Sequence, residues 1–272
     1  HMPELAELRL TADYINNCSQ GSGPTVHYCN ITKNPVHKGI DIQAPADLFT
    51  VSAESRGKEL IVYLHASEKT TPIRMTMGMS GHFKLTNTGQ EPKHAHLKFN
   101  RRDGTTLSFV DVRRFGKWKV GVSWSPNRGP DPTIDPENFK DNIYKNLDKK
   151  AFTHDIHVML MNQQYFNGIG NYLRAEILYR LPHINPFMSA REVIKRYPEL
   201  LDLCTDIPRK AYVLAGGKLS DLENPFKSDM EKLERFIRCY HNPAMSWCMD
   251  KKGRRFWFDP RWYDTYLEST EL

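Results

Sequence analysis

Pro3 stands behind only His1 and Met2, and it is followed by Glu4 and, one helical turn on, by Glu7. His1 before Met2 reads as an expression remnant, so Met2 is the expected natural start and Pro3 the residue exposed once that methionine is removed. A terminal proline is a secondary amine, and an α-amino group with a pKa of about 7.7–8.0 is partly neutral and nucleophilic near neutral pH. Its attack on a sugar aldehyde carbon gives an iminium with no proton left to lose, a permanent cationic electron sink. Glu4 and Glu7 would then supply proton transfer to a departing base and to the opened sugar. Taken alone, the plainer reading is that Pro3 opens a helix and the acids follow because the helix dipole favours them there.

Asn167-Gly168-Ile169-Gly170-Asn171-Tyr172 is a second candidate. Glycines before a helix let backbone approach an anion, and the unsatisfied N–H groups of the helix start, with Asn171 as a further donor, suit a phosphate. An ordinary interhelical turn reads the same way. Cys239, His241 and Cys248 invite a zinc reading, yet a structural site needs four tightly spaced ligands and no C-x-x-C pair occurs. No metal is expected.

These residues need elements to hold them. After Pro3, Leu5, Leu8, Ala12 and Ile15 recur at helical spacing until Cys18, before Gly21-Ser22-Gly23-Pro24, which predicts one opening helix. From about Thr50 to Trp124 the period is two: Ala95, Leu97 and Phe99 alternate with His96 and Lys98, and Trp118, Val120 and Val122 with Lys117, Lys119 and Gly121. With Asp103-Gly104 as a hairpin turn, the pattern predicts an antiparallel sandwich or barrel. Prolines 126, 130, 132 and 136 then interrupt all periodicity, as a linker would. Downstream the chain reads helical: around Ile156 to Leu160, from Leu173 to Leu181 before Pro182, after a capping box at Ser189 and Glu192, and from Leu200 to Leu214, where Pro208 should kink the helix or start it late. The aromatic, basic stretch from Phe236 to Phe258 reads as a hairpin. The expected domains are 1–125, a linker over 126–150, and 151–272.

Composition bounds the class. With 272 residues, 39% hydrophobic and 26% charged, the chain has room for a real core. Lys plus Arg number 38 against 32 Asp plus Glu, a net charge of +6 that favours a polyanionic partner. Five scattered cysteines argue against a disulfide framework, and neither a membrane-spanning run nor a secretory signal is present, so an intracellular address is expected.

Several segments together resemble the formamidopyrimidine/endonuclease VIII DNA glycosylases: Pro3-Glu4, Arg56-Gly57-Lys58-Glu59-Leu60 in a strand, Met79-Ser80-Gly81, Phe109 through Gly116 (FVDVRRFG) and Phe166 through Leu181 (FNGIGNYLRAEILYRL). The resemblance covers nearly the whole chain in order and is closest to the animal-type endonuclease VIII-like branch. It implies an α+β protein of two domains: an N-terminal β-sandwich with an opening helix, and a C-terminal helix-two-turns-helix domain with a hairpin shaped like a zinc finger but lacking the metal. Pro3 would be the nucleophile of a bifunctional glycosylase/AP lyase, with Glu4 the acid/base and Glu7 held close to the sugar. Lys58 and Asn171 would hold phosphates beside the lesion, Arg254 would point at backbone phosphate from the hairpin tip, and Lys218 would contact the lesion. Met79, Arg113 and Phe115 would fill the gap left by a flipped-out nucleotide, a role that suits apolar bulk combined with a cation. Damaged DNA is the implied partner, the protein a nuclear monomer, and no cofactor is implied.

There are departures: Leu5-Ala6 replaces the family's Gly-Pro, and Leu219 to Phe226 matches poorly. The competing readings are a non-catalytic binder of damaged or single-stranded DNA with the same fold, and an RNA-associated scaffold.

Overall fold

In the computed structural model of the chain, residues 3–20, 25–217 and 235–264 are described. They fall into two compact units, one formed chiefly by the chain up to Ser125, the other by Pro126–Leu214 with the described residues after 234. No described helix is long and apolar enough to cross a membrane.

The first unit opens with helix α1 (Leu5–Gln20), two residues longer than the apolar spacing predicts. The Arg101 guanidinium donates to the Cys18 carbonyl at 3.0 Å, satisfying one of the acceptors that a helix end leaves open. Eight antiparallel strands follow: β1 (Tyr28–Lys33), β2 (Thr50–Arg56), β3 (Glu59–His65), β4 (Thr70–Thr76), β5 (His82–Asn87), β6 (Ala95–Arg101), β7 (Thr105–Val110) and β8 (Lys117–Val120). They form two four-stranded sheets, ordered β1-β6-β7-β5 and β2-β3-β4-β8. One core joins them, with Val51, Leu60, Val62 and Ile73 from one sheet, Phe83, Leu97, Phe99 and Phe109 from the other, and Leu8, Tyr14 and Ile15 from α1. The Asn16 side chain bonds both the N–H and the C=O of Ala53, at 2.8 and 2.9 Å, and so fixes α1 on β2.

The expected turn at Asp103-Gly104 is present. Gly104, at φ 87°, closes the three-residue loop from β6 to β7, a conformation that costs glycine no Cβ strain. Four details differ from the sequence expectation. Strand pairing begins at Tyr28, because β1 is a polar edge strand without an alternating apolar signature. Gly57-Lys58 is the tight turn joining β2 to β3, with Arg56 paired to Glu59, and is not part of a strand. His96, which alternates with the apolar positions of β6, is itself only 2% exposed. β8 ends at Val120, so Val122 is outside it.

In the second unit the segment 126–150 is more than a linker. It carries α2 (Pro136–Tyr144), with Pro136 in its first turn and the Asp135 side chain accepting from the N–H of Asn138. Phe139 and Ile143 are buried, Phe139 against the ring of Phe166. The prolines mask this signal because they lie before the helix and at its start, where they break no helical bond. After a short 3-10 turn come α3 (Ile156–Met159), α4 (Asn171–Tyr179), α5 (Ala190–Arg196) and α6 (Glu199–Leu214), then the hairpin β9 (Ser246–Met249) and β10 (Arg255–Phe258). Ser189 caps α5 as expected, accepting from the Glu192 N–H at 3.3 Å. α6 runs unbroken through Pro208, whose cost of about 3 kcal/mol is offset by the burial of Leu200, Leu201, Cys204, Ile207 and Ala211 along one face. α3, two turns and α4 form the helix-two-turns-helix element, and β9–β10 is the finger-shaped hairpin.

Candidate functional site

At the start of α1, Pro3 is half-buried while Glu4 and Glu7 are 1% and 6% exposed. Glu7 Oε1 accepts from the Glu4 N–H at 3.0 Å, reaching back from the first helical turn as the glutamate of a capping box does. That bond fixes the peptide immediately after Pro3 and with it the place of the Pro3 ring at the helix start. Two carboxyl groups stand within one turn of the Pro3 nitrogen. Lys58 is in the β2–β3 turn of the same unit, and β2 is the strand on which α1 packs.

Met79, Arg113 and Phe115 lie on two other turns of the sandwich and are brought together. Met79, between β4 and β5, is 44% exposed, and Phe115, between β7 and β8, is 50% exposed. Arg113 Nη1 reaches Met79 Sδ at 3.3 Å, and its guanidinium carbon lies 4.9 Å from the centre of the Phe115 ring. At that exposure neither Met79 nor Phe115 is part of the sandwich core. Arg114, between Arg113 and Phe115 in the chain, is at φ 57°, in the left-handed region that non-glycine residues seldom occupy.

In the second unit, Asn171 and Arg254 are joined by groups that sequence reasoning left unnamed. Arg174, fully buried, donates twice to Asn171 Oδ1 at 3.0 and 2.8 Å, to the His157 carbonyl at 3.0 Å, and to Asp250 Oδ2 at 3.0 Å. Asn171 Nδ2 donates to the Arg255 carbonyl at 3.0 Å, tying the first residue of α4 to the hairpin. Asp250 shapes the hairpin tip: Oδ1 accepts from the N–H groups of Lys252 and Arg254, both at 2.9 Å, and Oδ2 from Arg254 Nε at 3.2 Å. Burial alone would push the Asp250 carboxyl up, but the N–H of Arg254 and the guanidinium groups of Arg174 and Arg254 hold it down to about 2. Beside this network lies a cleft of about 510 Å³ with Lys251, Lys252, Arg254, His154 and Asn162 among its walls, a concave basic surface suited to phosphate.

Glu176 is a fully buried carboxylate of this unit. It accepts from the N–H groups of Arg238, Cys239 and Tyr240 and pairs with Arg180 at 3.1 Å, which anchors the chain entering the hairpin. Arg174 and Glu176 lie in the FNGIGNYLRAEILYRL run, but the partners that show their role, Asp250 and Arg238 through Tyr240, are far along the chain. Cys239 is fully buried, and burial followed by the nearby carboxylates drives its thiol well above the ordinary range. Among the described residues no group of three His, Cys, Asp or Glu is placed to hold a metal ion. Lys218 lies outside the described residues, as do His1 and Met2.

Residues 2–118 match the formamidopyrimidine-DNA glycosylase N-terminal domain. Human endonuclease 8-like 1 is 36% identical over 94% of this chain and 72% of its own length, and the mouse protein aligns equally well. The chain belongs to the formamidopyrimidine-DNA glycosylase/endonuclease VIII family. A formamidopyrimidine-DNA glycosylase of a Wolbachia strain is 30% identical over 82% of this chain and 83% of its own. Two solved members share the fold of this family member: the MutM (Fpg) protein of Thermus thermophilus, TM-score 0.75 at 21% identity over 95% of this chain and 97% of that one, and Lactococcus lactis Fpg in complex with DNA containing an oxidized pyrimidine, TM-score 0.76 at 22% over 95% and 98%. The sandwich with its opening helix, the helix-two-turns-helix element and the hairpin are therefore the family architecture.

Proposed function

We propose that this family member is a bifunctional DNA glycosylase and AP lyase of base excision repair, removing oxidised pyrimidines and ring-opened purines and then cutting the strand by β,δ-elimination. The observation that carries the reading is the helix start, where Glu7 holds the peptide after Pro3 and the buried Glu4 stands next to it. Once Pro3 is the amino terminus, its nitrogen attacks C1′ of the lesion nucleotide and the bond from C1′ to the base breaks. The base leaves with the electron pair and is protonated from Glu4. The proline nitrogen loses its proton and the C1′–O4′ bond breaks, O4′ taking up a proton, which opens the sugar to the C1′ iminium. Loss of a C2′ proton sends that C–H pair into the iminium as an enamine, which expels the 3′-phosphate with its bonding pair, and loss of a C4′ proton then expels the 5′-phosphate in the same way. Glu7 keeps Glu4 and Pro3 in register with the sugar. The chemistry asks for no metal or cofactor, because the iminium is itself the electron sink.

Lys58, Asn171 and Arg254 take backbone phosphates, and Met79, Arg113 and Phe115 fill the space of the extruded nucleotide. Arg174 and Asp250 hold Asn171 and the hairpin tip for that task. Lys218 is the residue proposed to meet the lesion. With DNA as substrate the protein works where the genome is, in the nucleus, and as a monomer.

Borohydride trapping on a lesion duplex, read together with intact mass, tests the proposal. Protein that begins at Pro3 should form the reduced covalent adduct, and protein retaining His1 should not, because an amide nitrogen cannot form an iminium. Glu4→Gln should lose base removal yet still cut DNA already carrying an abasic aldehyde. Efficient trapping of protein with His1 attached would move the nucleophile to a lysine such as Lys58, and no trapping at all would make the chain a damaged-DNA binder.

A further inference from the structure

Met79 and the pair Arg113 and Phe115 are on different turns, so something must set their mutual position before DNA arrives. The group between the turns is Asp111, which follows the last residue of β7 and is fully buried. Its backbone is pinned on both sides: its N–H donates to the His94 carbonyl at 3.0 Å, and its C=O accepts from His96 Nε2 at 2.8 Å. Each oxygen of its carboxylate serves one turn. Oδ1 accepts from the hydroxyl of Ser80, the neighbour of Met79, at 2.6 Å, and Oδ2 from the N–H of Gly116, the neighbour of Phe115, at 2.8 Å. Ser80 Oγ in turn accepts from the Arg113 N–H at 3.2 Å.

The turns are also packed backbone to backbone. A Cβ at Gly78, which sits at φ 60°, would lie 2.7 Å from the Gly116 nitrogen, and one at Gly116 would lie 2.8 Å from Asp111 Oδ2 and 2.6 Å from the Phe109 ring. There is no room for a side chain between them; the β4–β8 and β5–β7 ladders set the register at the bases of the turns, and the carboxylate bridge ties the two turns to each other beyond the ladders. An ionised carboxylate suits that place because it only accepts, with two oxygens for two fixed donors.

Resting on the reading that Met79, Arg113 and Phe115 fill the gap in the stack, we infer that Asp111 is the positioning residue that locks the two turns into a single preassembled plug. Arg113 then meets the duplex already stacked on Phe115 and against Met79, so little side-chain ordering is left for the bound state. Asparagine keeps the shape but brings an N–H₂ group to one of the two donors. Ser80 can reverse and accept, Gly116 cannot, so Asp111→Asn weakens the bridge and Asp111→Leu removes it.

The test compares Asp111→Asn, Asp111→Leu, Ser80→Ala and Arg113→Ala on one lesion placed in a single strand and in a duplex with 2-aminopurine next to the orphan base. Asp111→Leu should lower duplex excision about tenfold or more and reduce the 2-aminopurine signal of plug insertion, with single-strand excision within about twofold of the parent. Asp111→Asn and Ser80→Ala should shift the duplex to single-strand ratio the same way by smaller factors, and Asp111→Asn with Arg113→Ala should be no worse than Arg113→Ala alone. If Asp111→Leu does not fold, Asp111→Asn and Ser80→Ala carry the test. Equal losses on both substrates, or an unchanged ratio while Arg113→Ala is selectively impaired, would overturn the role of Asp111 and leave the plug standing. An unchanged ratio in Arg113→Ala itself would instead remove the plug.

Discussion

The sandwich unit and the helical unit hold their candidate DNA-facing groups in opposite ways. In the sandwich, Met79, Arg113 and Phe115 are exposed on turns, and only their anchor, Asp111, is buried. In the helical unit the charged groups themselves go inside: Arg174 and Glu176 are fully buried on α4, and they hold Asn171, the hairpin tip and the chain entering the hairpin. The difference follows from the tasks. A side chain that must enter a base stack has to stay accessible, whereas a phosphate lies outside the duplex and can be met by groups whose geometry is fixed during folding. Stability is thus coupled to DNA contact at Arg174 of the helical unit and largely uncoupled from it at the exposed side chains of Met79, Arg113 and Phe115 in the sandwich.

Removing Arg174 is the strongest way to break that comparison. Arg174→Ala takes from Asp250 one of its two guanidinium partners, the other being Arg254, and leaves the Asn171 side-chain oxygen without its guanidinium donors; breaking a buried pair costs up to about 3–5 kcal/mol. The melting temperature and the DNA affinity should fall together, with Arg174→Lys recovering part of both because one charged donor remains. A variant that melts normally but binds weakly would show that the helical unit is no more committed to stability than the sandwich turns.

On the sandwich side, Arg113→Ala and Phe115→Ala should leave the melting temperature within about 1 °C, since surface substitutions usually stay within about 0.5 kcal/mol. Excision from a duplex should drop about tenfold relative to excision from a single strand. Equal losses on both substrates would mean that the exposed side chains act somewhere other than the stack.

How much of this is legible in the sequence depends on where the determining contact lies along the chain. The helix at Leu5, the period-two strands, the turn at Asp103-Gly104 and the Ser189 cap are local, and each can be read from a few neighbours. Exposed candidates such as Met79 and Arg113 were found by motif. Asp111 and Arg174 sit inside the same motifs, but their partners lie elsewhere: Ser80 is 31 residues from Asp111, and Asp250 is 76 from Arg174. A buried charge declares itself only through such partners, and nothing in its spacing reveals them. The helix over Pro136–Tyr144 was hidden for a different reason: prolines that usually end a helix here precede one and supply its first turn.

The phosphate contacts should give a smaller effect, and one that bears on both units at once. Lys58→Ala in the sandwich and Arg254→Ala in the helical unit should each reduce the slope of log K against log salt by about one and weaken all sequences alike. Because Arg254 is already bonded to Asp250, its loss should also lower the melting temperature slightly. An unchanged slope would take the residue out of the interface.

Acid should separate the units with the smallest effect of all. His37 and His96 in the sandwich and His157 in the helical unit all have lowered pKa values, first of all because burial disfavours the imidazolium. For His37 the neighbouring His96 adds to the shift, and for His157 the charge of Arg174 does, against the opposing bond to the Pro186 carbonyl. A group whose folded pKa lies below its unfolded value of about 6.5 binds more protons when unfolded, so its contribution is complete above that pH and is lost as pH falls toward the folded value. Asp250 acts in a lower window: its carboxyl, held at about 2, stabilises fully above about 3.9 and loses that contribution as pH drops toward 2. Urea unfolding at pH 7.5, 5.0 and 3.5 should therefore show a first loss of stability between 7.5 and 5.0 that shrinks in His37→Gln and His96→Gln. Replacing His37 and His96 together should shrink it more than His157→Gln does, since the helical unit has one such histidine against two. If the pH 7.5 to 5.0 loss is the same in all of these variants as in the parent, the buried imidazoles do not set the acid response, and the sandwich is no more acid-sensitive than the helical unit.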